Sequence, residues 1–494
     1  MPPPFDCRRS HREFLSTLAA ALAVAALPCL CLTLPAVADE ASVSPGGKST
    51  APDMRLQVND GLKVSANGHY LVDAVNGSPV FILADTAWNL GALKIEEIDT
   101  YLQSRADHRF NAIMFVLNFA PQAAEKNAYG EPAYIGADKT DLNPAYFATC
   151  DELVKHAAAR GLYVFMYTMW AGQKAGTMNN YTPAQLETIG RELGSRYAGV
   201  PNVIFCAGGE ATPHYVDVER VNAMGRGLKE GCAGRNLVTV HPMSGFSSAS
   251  YYADSPWLDF DMTQAKSSIA PASAKYDAAA LVLKDWQLTP PRPAMMAEHR
   301  YESGTGEDPL IQRRSLYQCV FAGAFGHAYG HNALWQMTPH AGAKWMLRSW
   351  TPGVQDWTEA LDTPAVRQLH YIEALLYSHP YLERIPDQSL VIAGQGADVA
   401  TRTQATRDGT AGHNDATYIM AYISAPARVT LNTAAISAPT LNAYWFSPET
   451  GSTEVIRNGF PNQGSLTLDP RSQGHDWVVI IENAASRYPL PASE

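Results

Sequence analysis

The chain is 494 residues long, more than one hydrophobic core usually organises, so two domains are expected. With 46% hydrophobic and 17% charged residues it has an ordinary globular composition, without the bias of a disordered or fibrous chain. A net charge of −11 would repel a phosphate backbone or an anionic bilayer, which argues against nucleic acid or a membrane surface as partner. At the N-terminus, Arg8, Arg9 and Arg12 precede the apolar stretch 14–34, and Ala36-Val37-Ala38 supplies small residues before Asp39. That pattern reads as a cleavable export signal over residues 1–38, leading to the periplasm or the exterior and leaving no membrane contact after cleavage. An uncleaved anchor is the rival, disfavoured by the alanine-rich run, Pro28 and the A-x-A end. Beyond the signal remain Cys150, Cys206, Cys232 and Cys319, with no C-x-x-C or Cys/His spacing. They read as buried free thiols rather than a disulfide scaffold.

Residues 39–54 form a Ser/Pro/Gly linker. A β-rich lead-in follows, broken at the hairpin signals Asn67-Gly68 and Asn76-Gly77. From Val80 the texture changes to strand–helix alternation. Apolar runs at 80–84, 112–117, 163–169, 203–207, 237–240, 260–263, 294–297 and 333–335 are the expected strands. Helical patterns at 95–104, 144–159, 183–197, 215–229, 273–286, 310–324 and 364–376 lie between or after them. Pro144, Pro183 and Pro364 suit a first helical turn, and Ser273 an N-cap. Eight strands with intervening helices over about 300 residues predict a (β/α)8 barrel, assigned with its lead-in to residues 55–385. A doubly wound open sheet would want a Gly-rich phosphate loop after its first strand, where this chain reads ADTAWN. Over 386–494 the helical period gives way to alternating runs separated by turns, the pattern of a small antiparallel β-sandwich.

Catalytic side chains in such barrels stand at the C-terminal ends of the strands. Two of the runs end in acids: PNVIFCAGGE delivers Glu210 after the fourth strand, and PAMMAE delivers Glu298 after the seventh. A pair of carboxyls facing each other across a barrel mouth is what glycoside hydrolysis needs, one neutral and one ionised. Other strand ends carry the polar and aromatic groups a hydroxyl-rich ligand requires. These candidate substrate-binding residues are Asp85, Trp88, Asn118, Trp170, His241, Gln264, His299, Tyr301, Glu302, His327, Tyr329, His331 and Trp335. Taken singly, each tryptophan or histidine is more often core than ligand platform, and Glu302 could simply pair with Arg300 or Arg313; their joint location favours a site. His327, His331 and His340 with Glu298 imitate a metal-ligand set, but the glycines around His327 disfavour a helix and no H-E-x-x-H is present. No metal or cofactor is expected. A serine hydrolase is excluded in the same way by the missing G-x-S-x-G elbow.

The segments FILADTAWNL, FNAIMFVLNF, PNVIFCAGGE, HPMSGFSSASYY with WLDFDMTQ, and AEHRYESG with RRSLYQCVFAGAFGHAYGHNALWQM together resemble the apiosidase-type glycoside hydrolases of family 140. The stretch LNAYWFSPETGSTEVI with DWVVIIE resembles the sandwich that accompanies that barrel, labelled a collagen-binding domain. The resemblance covers residues 60–485. It implies a clan A (β/α)8 barrel and a retaining mechanism with Glu298 as nucleophile and Glu210 as acid/base. The family pattern has Asp after Gly-Gly where this chain has Glu210, and Gly209 stands where the clan usually places Asn. The expected function is an exported retaining glycoside hydrolase acting on a plant or bacterial polysaccharide or side-chain oligosaccharide, with a furanoside as one candidate. A non-catalytic carbohydrate-binding protein on a degenerate barrel is the alternative that the Gly209-Glu210 context keeps open.

Overall fold

The computed structural model describes residues 61–117, 126–172, 177–265, 277–302, 308–337 and 356–491. The expected export signal and linker, together with Asn118, Ser273 and His340, lie outside these residues. Short strands Leu62–Val64, Leu71–Asp73 and Pro79–Val80 form the lead-in, an antiparallel ladder turned at the two Asn-Gly pairs.

Eight parallel strands follow: β1 Ile82–Thr86, β2 Ala112–Val116, β3 Tyr163–Tyr167, β4 Val203–Cys206, β5 Val238–Thr239, β6 Asp261–Gln264, β7 Ala294–Glu298 and β8 Gly326–Tyr329. Every residue in them is buried, because one face lines the barrel and the other packs under helices. That double burial is why their sequences read as unbroken apolar runs. The ladder runs β5-β4-β3-β2-β1-β8-β7-β6, and the remaining seam is joined by Asp259 N donating to Val238 O at 2.9 Å and Thr239 Oγ1 to Phe260 O at 2.8 Å. An extra strand, Phe246–Ser247, runs antiparallel to β6.

The eighth strand corrects the expectation at 333–335, which instead lies in a turn. Gly326 and His327 broke the apolar texture of the real strand, since His327 turns out towards the helices.

Helices α1 Ile95–Asp107, α2 Pro144–Ala158, α3 Pro183–Arg196, α4 Val218–Gly231, α5 Ala278–Trp286 and α6 Asp308–Phe321 surround the ring. Thr182 and Gln185 form a capping box at α3, while Asp217 and Asp277 cap α4 and α5. The helical pattern at 364–376 divides into Val366–Leu369 and Tyr371–Tyr377, with Pro364 in the turn before them. Between α3 and α4 the backbones nearly touch. A Cβ on Gly190 would lie 2.6 Å from Met224 O, and one on Gly194 would lie 2.5 Å from Leu228 O; Gly227 and Gly231 return the same fit against α3.

Beyond residue 385 a six-stranded antiparallel sheet has as its central strands Thr403–Arg407, Tyr418–Ile423, Trp477–Asn483 and Thr440–Phe446. A smaller sheet of Val391–Ala393, Val429–Asn432 and Ser465–Leu468 accompanies it. Alternation divides the larger sheet cleanly. Tyr418, Met420 and Tyr422 join the barrel core, whereas Ile419, Ala421 and Ile423 join the sandwich's own core. Both faces of that sheet are therefore covered, one of them by the barrel. Arg313 of α6 reinforces the joint with a 2.7 Å ion pair to Asp476, whose other oxygen accepts the Tyr422 hydroxyl at 2.9 Å; both charged side chains are at most 2% exposed. Arg402 pairs with the α5 cap Asp277 across the same joint, with both side chains 23% exposed. Among the described residues, no helix is long and apolar enough to cross a membrane.

Candidate active site

Glu298 ends β7 and points into the barrel mouth, 5% exposed. Burial raises its carboxyl to about 8, and the nearby charge of Glu210 adds to the rise; Tyr301 and Gln264 pull it back towards the ionised form. Tyr301 is held from behind by Trp88, whose Nε1 donates to the Tyr301 hydroxyl at 2.8 Å. His241, wholly buried after β5, brings Nε2 to 3.6 Å from Glu298 Oε2, too long for a hydrogen bond. Burial lowers that imidazole to about 3, so it is neutral and no ion pair forms. Its ring lies against Trp88, Tyr167 and Trp170, with centroids 5.7, 5.7 and 6.2 Å away. The floor of the site is thus aromatic.

Glu210 follows β4 in the left-handed region, with φ +49°. For a non-glycine residue this backbone costs roughly 1–2 kcal/mol, so the surrounding structure must impose it. It does so through four backbone bonds: Gly209 N to Met169 O at 3.0 Å, Ala171 N to Gly209 O at 2.8 Å, Ala211 N to His241 O at 2.9 Å and Thr212 N to Glu210 O at 3.0 Å. The ends of β3 and β4 stay paired through Trp170 and Gly209. Burial raises the Glu210 carboxyl to about 7, with Gln264 opposing. One amide therefore lies close enough to influence both acids, although neither contact has full hydrogen-bond geometry. The two carboxyls titrate as a pair, and near neutral pH that pair retains protons that exposed carboxyls would have lost.

Strand alternation separates the other expected residues into two groups. Trp88, Trp170, His241, Gln264 and Tyr301 gather around the two acids, and Trp335 flanks them with its ring centroid 6.3 Å from that of Tyr301. Asp85, His299, Glu302, His327 and Tyr329 are turned away, a correction to the expected cluster. Asp85 accepts from Arg105 Nη1 at 2.9 Å and from the Tyr101 hydroxyl at 2.8 Å, both on α1. Tyr329, its neighbour across the ladder, donates to Glu302, which also accepts from Thr363 at 2.8 Å. His299 meets Gln312 at 3.1 Å, and His327 meets Ser315 at 3.0 Å, both partners on α6. His331 organises its own turn, its Nδ1 accepting from Ala333 N at 3.0 Å. Thr86, at the polar end of β1, and Tyr167, inside an apolar run, complete the site, and only Tyr167 escaped the strand-end reading. Thr86 sits beside Tyr301 and Tyr167 beside Trp88, and period-two counting from the outward-facing Asp85 points to Thr86. Among the described residues no three His, Cys, Asp or Glu side chains are arranged to hold a metal ion.

A (β/α)8 barrel with two electrostatically coupled carboxyls at the tips of β4 and β7, set in an aromatic floor, is the architecture of a glycoside hydrolase. Residues 65–383 match the family described as "Apiosidase-like, catalytic domain", and the chain belongs to that family. Residues 385–482 match the "Putative collagen-binding domain of a collagenase". A solved structure described as a glycoside hydrolase family 5 protein from Bacteroides vulgatus is 28% identical, with a TM-score of 0.77 over 88% of this chain and 96% of that one. A second, described as a glycoside hydrolase, is also 28% identical, with a TM-score of 0.75 over 87% of this chain and 98% of that one. No curated protein matches the chain.

Proposed function

We propose that the protein is an exported retaining glycoside hydrolase that releases a sugar, with an apiofuranoside or related furanoside as the leading candidate, from plant or bacterial polysaccharide or its side-chain oligosaccharides. The observation that carries this reading is the pair of buried carboxyls, Glu210 after β4 and Glu298 at the end of β7, close enough for the charge of one to raise the other. Double displacement needs the two carboxyls roughly 5–5.5 Å apart, whereas inversion needs roughly 6.5–9.5 Å to admit a water.

Glu210 protonates the glycosidic oxygen as Glu298 attacks the anomeric carbon, giving a glycosyl-enzyme ester. Glu210 then takes a proton from water, which displaces Glu298 and restores the original configuration. In the empty cleft burial favours the proton on Glu298. A bound glycoside favours the productive form, because positive charge develops at the anomeric carbon beside Glu298 while the leaving oxygen meets Glu210. The aromatic floor of Trp88 and Trp170 suits the C–H face of a sugar ring. The sandwich, whose larger sheet is covered on both faces, serves to brace the barrel rather than to bind collagen.

The test combines product release from pectic and bacterial glycans and 4-nitrophenyl glycosides, apiofuranoside included, with 1H NMR of the first-formed anomer. Retention is expected, and Glu298→Gln is expected to abolish turnover. Inverted product, or an active Glu298→Gln enzyme, would overturn the mechanism. Binding without release by the parent protein would favour a carbohydrate-binding protein instead. Export is checked by expressing the full chain and sequencing the N-terminus of the mature protein, expected to begin near Asp39.

A further inference from the structure

Two glycines flank Glu210, and each leaves room for a different neighbour. At Gly209 any side chain would run into the six-membered ring of Trp170, so the indole lies directly on the backbone that precedes the acid. At Gly172 a Cβ would collide with Glu210 Oε2, and would lie 2.7 Å from Glu210 Cβ and 2.8 Å from Trp170 Nε1. A carboxyl oxygen and an indole N–H thus converge over one bare backbone position. Gly172 has no positive φ, so it is required for space and not for conformational freedom. Gly172 N and Ala171 N both donate to Gly209 O, at 3.1 and 2.8 Å, which ties the two glycines into one piece of backbone.

We propose that Trp170 is a positioning residue for Glu210: its indole N–H, admitted by the clearances at Gly209 and Gly172, faces the same bare position as Oε2, closes on that oxygen as the carboxylate ionises, and leaves Oε1 as the oxygen that meets the leaving group. The catalytic consequence rests on reading Glu210 as the acid/base, whereas the contact itself does not. From its left-handed backbone the Glu210 side chain lies along Gly172, with both its Cβ and Oε2 close to that glycine.

The contact can be tested without any substrate. The chain has ten tryptophans, and in 15N-indole spectra of the mature protein the Trp170 cross-peak is identified by its loss in Trp170→Phe. That peak is expected to move with a midpoint near 7, the value for Glu210, and to lose that movement in Glu210→Gln. A cross-peak indifferent to Glu210→Gln would overturn the proposal.

The chemical consequence is read in Gly172→Ala, which the backbone tolerates but which pushes a methyl against Oε2. Its kcat/KM on a methyl glycoside of the released sugar is expected to fall about 100-fold further than on the 4-nitrophenyl glycoside, which needs little acid assistance. In Trp170→Phe, loss of a donor to the carboxylate should raise Glu210 and so move the acidic limb of the pH profile upwards, a change that simple loss of packing would not produce. Parent-like leaving-group dependence in Gly172→Ala together with an unmoved limb in Trp170→Phe would refute the positioning role. Retained activity in Glu298→Gln would instead refute the double-displacement reading and leave the spectroscopic result standing.

Discussion

Replacing Glu298 by Gln is expected to inactivate the enzyme and, at alkaline pH, to make it more stable relative to the parent. The argument follows the proton. In the unfolded chain Glu298 ionises near the ordinary value of about 4.3, whereas in the folded protein it holds its proton until about 8. Between those values the folded state binds a proton that the unfolded state has released, so this group makes the parent lose stability as pH rises. The slope is about 1.4 kcal/mol per pH unit and the whole window has a ceiling of about 5 kcal/mol. Glu210 shares part of that window, and glutamine forfeits whatever Tyr301 contributed to the anion. The net expectation is that the stability difference, variant minus parent, grows by about 2–3 kcal/mol between pH 5.5 and pH 9. Urea unfolding at the two pH values measures it directly. A difference that is the same at both, within about 0.5 kcal/mol, would show that Glu298 is not held neutral by the fold and would refute the burial argument.

The activity profile should follow from the same pair. With Glu210 near 7 and Glu298 near 8, kcat/KM is expected to peak in that interval and to fall about tenfold per pH unit on either side; a flat profile from about pH 5 to 9 would contradict it. Asp85→Asn strands the buried Arg105 charge and should cost about 3 kcal/mol in chemical unfolding, while kcat per folded molecule stays within about threefold of the parent. Activity lost without stability lost would return Asp85 to the site. Arg313→Met leaves Asp476 to Tyr422 and should also cost about 3 kcal/mol, most of it recovered in Arg313→Met/Asp476→Leu; a single variant as stable as the parent would refute the buried joint.

The barrel was legible in the sequence because strands buried on both faces keep unbroken apolar runs, and the two acids were legible because each follows such a run. Legibility failed where chemistry faced outwards. The polar GHAY of β8 hid a strand whose His327 and Tyr329 meet helices and loops, while the apolar Ala333–Trp335 proved to be a turn. Asp85, His299 and Glu302 stood at strand ends and looked like ligands, yet their direction depends on a register that sequence proximity does not reveal. Gly209 was visible as a departure from the clan, but its reason, an indole from the end of β3, is a contact between residues 39 positions apart.

The glycine seam between α3 and α4 bears on the same neighbourhood. Those helices follow β3 and β4, the strands that bring in Trp170 and Glu210. With backbones rather than side chains in contact, there is no rotamer whose repacking could let one βα unit slide along the other. Backbone contact thus fixes how far apart the two units stand. A side chain grown on any of these four glycines would therefore be felt at the ends of β3 and β4, where Trp170 lies on Gly209.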